Sequence, residues 1–407
     1  MLRFNETIAA LAIGIPFAGP AAAENVLRWA GSGAAFGFDP HSMESSFDDA
    51  LKDPVYESLI AFDSDMTMSG HLATSWRPLN TTTWEFKLRE NVSFHDGTPL
   101  TSDDVVFSIR RAQAETSSER DTLEKIAGVE AIDPHTVHVT TERPAAVLWY
   151  DLSYVKIMSK AWAESHGVTL PADYDNKERT YATHHANGTG PFILKEFATD
   201  GGYIMVRNPD WWGYERYPHN IDRIVRLSVA STEQGVELLL NGDIDFFYGE
   251  PYDAFEQIEQ TEGLKLARGP QFNVHRLGFD QSSAELRSSD IQGRNPFHDR
   301  RVRQAVYQTI DIQALVQEVH RGLATPVGMP IAPGVNGHTP ELGKRLPYDP
   351  EAAKALLVEA GYPEGFSVTL DCPNDWSRAR GEALCRFIAP QFGRNRYRGY
   401  GQFPADD

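Results

Sequence analysis

Long apolar runs are missing from this sequence. The best candidate, residues 8–18, is interrupted by Pro16. It falls short of the roughly 20 residues a membrane-spanning helix needs. No later stretch approaches it, so no membrane span is predicted. Positive charge is also scarce. Lys and Arg total 38 against 57 Asp and Glu, a net charge of −19. A surface this acidic repels phosphate backbones, which excludes nucleic acid as an expected partner. Cysteine is limited to Cys372 and Cys385, so at most one bridge can form. The signatures of common enzymes are missing too. There is no G-x-x-x-x-G-K-[ST] phosphate loop, no H-E-x-x-H zinc helix and no G-x-S-x-G nucleophile elbow. Gly31-Ser32-Gly33 and Gly188-Thr189-Gly190 lack dinucleotide-fingerprint spacing and read as tight turns. On a strand, His184-His185 and the His135/His138 pair point to opposite faces, so they read as surface histidines, not shared metal ligands. No catalytic residues, metal or cofactor are expected.

What is present fits a globular chain. Hydrophobic residues make up 41% and charged residues 23%, and 407 residues suggest two or three domains. The 8 Trp and 15 Tyr suit either cores or a ligand cleft. At the N-terminus, Arg3 supplies a positive region, residues 8–18 an apolar one, and Ala21-Ala22-Ala23 a small-residue cleavage site. This layout predicts a signal peptide over residues 1–23, with a buried N-terminal helix as the alternative. In an exported chain a Cys372–Cys385 bridge is expected, worth about 3 kcal/mol in the chain-entropy model. The alternative is two separate buried thiols.

Local patterns give an α/β chain. Trp84, Phe86 and Leu88 alternate with charged residues as in a half-buried strand. Thr101 and Asp104 have capping-box spacing and open a helix through Val105, Ile109 and Ala112. Residues 190–206 suggest a hairpin. A strand over 221–229, a helix over 232–240 closed by Asn241-Gly242, and a strand over 244–248 imply a crossover connection. Residues 274–279 read as another strand. Asp299, Asp311 and Asp349 each stand as the N-cap of a helix, the last with Pro350 at the first helical position. The tail, 392–407, interleaves Arg394, Arg396 and Arg398 with Tyr397 and Tyr400 and reads as a frayed terminus.

A series of ordered motifs then carries a resemblance. Residues 83–112, TWEFKLRENVSFHDGTPLTSDDVVFSIRRA, resemble the signature stretch of the bacterial extracellular solute-binding proteins, family five. These are the peptide-, dipeptide- and nickel-binding subunits of ABC importers. The likeness extends to Asp39-Pro40-His41, Val55-Tyr56-Glu57, Gly188-Thr189-Gly190, the Trp211-Trp212 run and residues 348–362. It implies a two-lobed periplasmic binding protein of type II with a subdomain inserted in the first lobe. Mapped here, lobe one is 24–61 plus 183–271, the insertion 62–182, and lobe two 272–391, with 392–407 as an atypical basic tail. Family members run on for roughly another hundred residues, about a domain's worth. The pattern here stops near Ala389, so the second lobe is expected to be incomplete and binding impaired.

The same resemblance implies function. A monomeric periplasmic protein would hold a di- or oligopeptide between its lobes and hand it to a membrane permease served by cytoplasmic ATPase subunits. A nickel chelate, a sugar or an opine are the alternative ligands. A secreted hydrolase on a similar scaffold is the alternative class. By position, Glu44, Ser45 and Ser46 would line the site, Glu44 meeting an amino terminus or else standing as a solvated carboxylate. Phe247 and Tyr248 would form an aromatic wall or pack in the core. Asn374, Asp375 and Trp376 would reach the ligand from lobe two.

Overall fold

The computed structural model describes residues 24–31, 36–43, 51–63, 67–249, 252–269, 274–372, 381–394 and 398–402. The predicted signal peptide, Glu44, Ser45, Ser46, Asn374, Asp375 and Trp376 lie outside the described residues. The chain divides into two compact units, 1–249 and 250–407. Residues 252–269 fall in the second of these units.

The first unit is built on two main sheets. The strands β4 (Ala73–Pro78), β5 (Thr83–Leu88), β7 (Thr136–Thr141) and β6 (Ile126–Asp133) form an antiparallel sheet in that order. On β5 the alternation seen in the sequence becomes an inward row, with Trp84, Phe86 and Leu88 all buried. Helix α1 (Ser102–Ala112) packs on this sheet. Its start is fixed by Thr101, whose backbone N–H donates to Asp104 Oδ2 at 2.9 Å in a capping box. Val105, Ile109 and Ala112 recur on one helical face and join the same core as Phe86, Val137 and Val139.

The second sheet has the order β11-β1-β10-β9-β8, formed by β1 (Val26–Gly31), β8 (Phe192–Phe197), β9 (Tyr203–Arg207), β10 (Arg223–Leu227) and β11 (Phe246–Tyr248). The hairpin β8–β9 adds antiparallel pairs to β10. Both β10 and β11 run parallel to β1, and helix α2 (Thr232–Leu240) makes the crossover between them. Phe38, Tyr56, Phe192, Tyr203, Met205 and Ile224 fill the core on one face of this sheet.

In the second unit, helices α3 (Arg300–Thr309), α4 (Ile312–Glu318) and α5 (Pro350–Glu359) begin at the expected aspartates. Asp299, Asp311 and Asp349 accept from the backbone N–H groups of Arg301, Ala314 and Ala352 at 2.8, 3.0 and 2.9 Å. Val302, Ala305 and Val306 pack with Ala353, Leu357 and Phe392. Cys372 and Cys385 form a disulfide joining the end of β12 (Ser367–Asp371) to helix α6 (Gly381–Arg394). Two expectations fail here. Residues 274–279 form no strand, because apolar spacing along the chain does not by itself build a ladder with a neighbouring strand. In the basic tail, residues Arg398–Gln402 form β13, which pairs parallel with β12 instead of fraying. A strand with an open edge offers N–H and C=O groups that a second strand satisfies.

Candidate functional site

In open parallel sheets, ligands bind beyond the carboxyl ends of the strands. In the first unit, β1, β10 and β11 reach this end at Gly31, Leu227 and Tyr248. The register pairs Trp29 with both Phe246 and Arg226, and Gly31 with Tyr248. Paired residues of neighbouring strands share a face, and alternate residues do too, so Trp29, Arg226, Phe246 and Tyr248 all project to one side. Phe246 and Tyr248 are 46% and 42% exposed, which is high for aromatic rings on a sheet. Trp29 links Phe246 to the core, with ring centroids 6.4 Å from Phe246 and 6.2 Å from Tyr203. Burial pushes the Tyr203 phenol up to about 12, so it stays neutral.

Two arginines set this edge. Arg226 is buried, with its guanidinium 5.5 Å from the Trp29 ring centroid. It donates to the carbonyls of Gly31 (3.2 Å) and Gly201, tying the end of β1 to the β8–β9 turn. Beside it lies a groove of about 370 Å³ lined by Glu196, Asp200, Tyr203, Leu227 and Ser228. Arg28 grips Asp245 with Nη2–Oδ1 at 2.8 Å and Nε–Oδ2 at 3.0 Å, while its backbone N–H donates to Oδ2 at 2.8 Å. That fork holds the start of β11 against β1 and so fixes where its aromatic rings stand.

Phe247 takes the other face. Its ring lies so close to Gly235 on α2 that a Cβ built there would meet Phe247 Cε2 at 2.1 Å. Of the two aromatics picked out by sequence, Tyr248 stands on the exposed edge and Phe247 packs under the crossover helix. Gly235→Ala is expected to cost about 1–3 kcal/mol through overpacking. Denaturant melts check this, and an unchanged midpoint would contradict the close approach. Trp29, Phe246 and Arg226 were not singled out from sequence. The period-two rule carried the signal for Phe246, since Phe246 and Tyr248 must share a face that Phe247 does not.

The turn at Asp39-Pro40-His41, which leads toward Glu44, is held by a buried network. Arg111 at the end of α1 forms a bidentate pair with Asp39, Nη1–Oδ1 and Nη2–Oδ2 both 2.8 Å, and the two side chains are 0% and 2% exposed. Arg111 also donates to the carbonyls of Val168 (3.1 Å) and Leu170 (2.9 Å), and to His41 Nδ1 at 3.0 Å. Because a guanidinium only donates, His41 Nδ1 must accept, which leaves its Nε2–H to donate to the Lys156 carbonyl at 2.9 Å. Burial, helped by the Arg111 charge, lowers His41 to about 3 and keeps it neutral. Burial by itself raises Asp39, but its hydrogen bonds and ion pair with Arg111 outweigh this and hold it below the usual carboxylate range.

A second buried group gathers three of the sequence motifs. Glu57 is 4% exposed and accepts from Thr189 Oγ1 (2.8 Å), Trp212 Nε1 (3.0 Å) and Trp211 Nε1 (3.2 Å). The Gly188-Thr189-Gly190 turn reaches it only because position 188 is glycine, since a Cβ there would lie 1.9 Å from the Val55 carbonyl oxygen. Among the described residues, no group of three or more His, Cys, Asp or Glu is placed to hold a metal ion. His135 lies in the β6–β7 turn, and His138 on β7 faces Glu85 at 3.3 Å.

Comparison with known proteins places this architecture. The glutathione-binding protein GsiB of Escherichia coli is 28% identical over 348 residues, which are 84% of this chain and 62% of the relative. The chain thus spans less than two thirds of that relative's length. The periplasmic binding protein DppA of Helicobacter pylori, solved with the peptide STSA, superposes with a TM-score of 0.70 at 23% identity over 93% of this chain and 74% of that one. NikZ of Campylobacter jejuni, solved with Ni(L-His), gives 0.71 at 20% identity over 95% and 75%. These likenesses establish the α/β fold of two-lobed periplasmic binding proteins. The family model "Bacterial extracellular solute-binding proteins, family 5 Middle" matches residues 67–392. The chain belongs to the bacterial extracellular solute-binding proteins, family 5.

Proposed function

We propose that this chain is the solute-capturing component of an ABC importer, that its solute is a peptide or peptide-like compound, and that the β11 edge of the first unit contacts it. The observation that carries this reading is the exposed pair Phe246 and Tyr248 on the outermost strand of the sheet, beside its carboxyl ends. Aromatic faces cover apolar side chains of varied shape, and a strand edge offers backbone groups to an extended chain. Such a surface recognises what peptides share more than what distinguishes them. GsiB is named for glutathione, a tripeptide, and DppA was solved with a peptide, in line with this chemistry. Export through an N-terminal signal, residence in the periplasm and delivery to a permease belong to the same proposal. So do contacts from Glu44, Ser45, Ser46, Asn374, Asp375 and Trp376.

Native mass spectrometry of protein purified gently from the cell envelope tests the proposal. Bound species spread over peptide masses are expected. Phe246→Ala and Tyr248→Ala should each weaken peptide binding on the order of tenfold, about 1.4 kcal/mol, in calorimetry. A single bound metal-chelate, sugar or opine mass would replace the peptide with that ligand. Unchanged affinity in both variants would remove the β11 edge from the site.

A further inference from the structure

Glu57 offers an arrangement that the binding role does not use. Its Oε2 already accepts two hydrogen bonds, from Thr189 and Trp212. Oε1 accepts only the longer one from Trp211 and lies 3.9 Å from His71 Nδ1. His71 sits on the turn between β3 (Met68–Gly70) and β4. We propose that Glu57 and His71 form a proton-gated contact: a proton taken from solvent onto Glu57 Oε1 is donated to His71 Nδ1 and draws the β3–β4 turn onto the turn that carries Trp211 and Trp212.

The surroundings decide where the proton rests. Arg89, at the end of β5, stacks its guanidinium 3.8 Å from the Trp212 ring centroid and donates from Nε to the His71 carbonyl at 3.1 Å. Asp63 faces the same cluster and is engaged by Tyr217 Oη (2.9 Å) and Arg216 (3.0 Å). Lys156 completes the ring of charges and is paired with Asp53 at 2.6 Å. Three cations against Asp63 disfavour a charged imidazole. Burial lowers His71 to about 4, with Asp63 opposing and Lys156, Arg216 and Arg89 adding to the shift. Burial raises Glu57 to about 7 despite its three donors. Between these values the carboxyl keeps the proton and the neutral imidazole accepts its hydrogen bond. A protonated Oε1 still has a lone pair for Trp211, so the contact gains a hydrogen bond without releasing a tryptophan.

The test titrates the whole chain from about pH 8 to about pH 5, following tryptophan emission and the infrared carbonyl band of a protonated carboxylic acid. Expected are a one-proton emission step with its midpoint at about 7 and an acid band that grows with it. Glu57→Gln should abolish both. His71→Phe keeps the ring beside Trp212 but removes the acceptor, and should lower the midpoint by about one pH unit. No acid band in the unmodified chain, a step that survives Glu57→Gln, or a midpoint unmoved by His71→Phe would each overturn the proposal. The unmodified chain and His71→Phe decide the matter even if Glu57→Gln does not fold.

Discussion

Replacing Arg111 with alanine is expected to remove about 3–5 kcal/mol of unfolding free energy, the largest single effect predicted for this chain. The reason lies in what remains. Asp39 would keep its burial but lose both bonds of the bidentate pair, leaving only the N–H groups of Ala172 (3.0 Å) and His41 (3.2 Å). The carbonyls of Val168 and Leu170 would lose their donors as well. An orphaned buried charge costs far more than a surface ion pair of the same length contributes. Domains of ordinary stability hold only about 5–15 kcal/mol in total, so the variant should approach the unfolding threshold. Urea melts of Arg111→Ala, Asp39→Asn and the double variant measure it. The double variant should lose less than the sum of the two singles, because neither partner is then left as an unpaired charge. A single-variant loss under about 1 kcal/mol would mean that water compensates Asp39 and that the network matters little.

Acid sensitivity is the second large effect. His41, His71 and His95 are lowered to about 3, 4 and 4, burial being the largest cause in each. In the unfolded chain they return to about 6.5. Their contribution is fully present above 6.5 and is lost as pH falls toward the folded values. Glu57 has the opposite sign. Its pKa is raised to about 7, so its contribution is present below about 4.5 and lost as pH rises through 7. Between about pH 4.5 and 6.5, three imidazoles against one carboxyl leave the unfolded state binding a net two extra protons. Stability should therefore fall with acid by up to about 2.7 kcal/mol per pH unit. Urea midpoints measured across this window check the slope. His41→Gln, which can accept from Arg111 and donate to Lys156 without titrating, should flatten the slope by about 1.4 kcal/mol per pH unit. A flat profile would mean that the buried imidazoles reach water in the folded state.

Much of the fold was legible in the sequence because its signals are local. Asp299, Asp311 and Asp349 announce helices that begin where those residues stand, since capping is a contact between residues two or three apart. The crossover from β10 through α2 to β11 was readable for the same reason. Which strand lies between β10 and β11 was not, because β1 belongs to a distant part of the chain. Residues 274–279 mislead in the converse way, reading as a strand locally while joining no sheet. The candidate site was half legible. Tyr248 was reached through the family pattern, but the orientation of Phe247 needed Gly235. Arg111 reads as one of two basic residues ending a helix, the expected place for solvated charge. Its burial depends on Asp39, 72 positions away. Glu57 likewise looks like a surface carboxylate until Thr189, Trp211 and Trp212 surround it.

The central position of β1 also governs the order in which this molecule can take shape. β1 joins partners on both sides at separations of about 200 residues, as the Asn25–Asp222 and Arg28–Asp245 bonds mark at 197 and 217. The antiparallel sheet that carries α1 has all its strands within residues 73–141. Among the described residues β1 pairs only with β10 and β11, so it cannot enter the ladder before residues 223–227 are available, and the parallel part of the sheet is complete only once residue 248 is. Such high contact order makes its closure the slow step, and leaves the first strand unpaired while the middle of the unit is already folded.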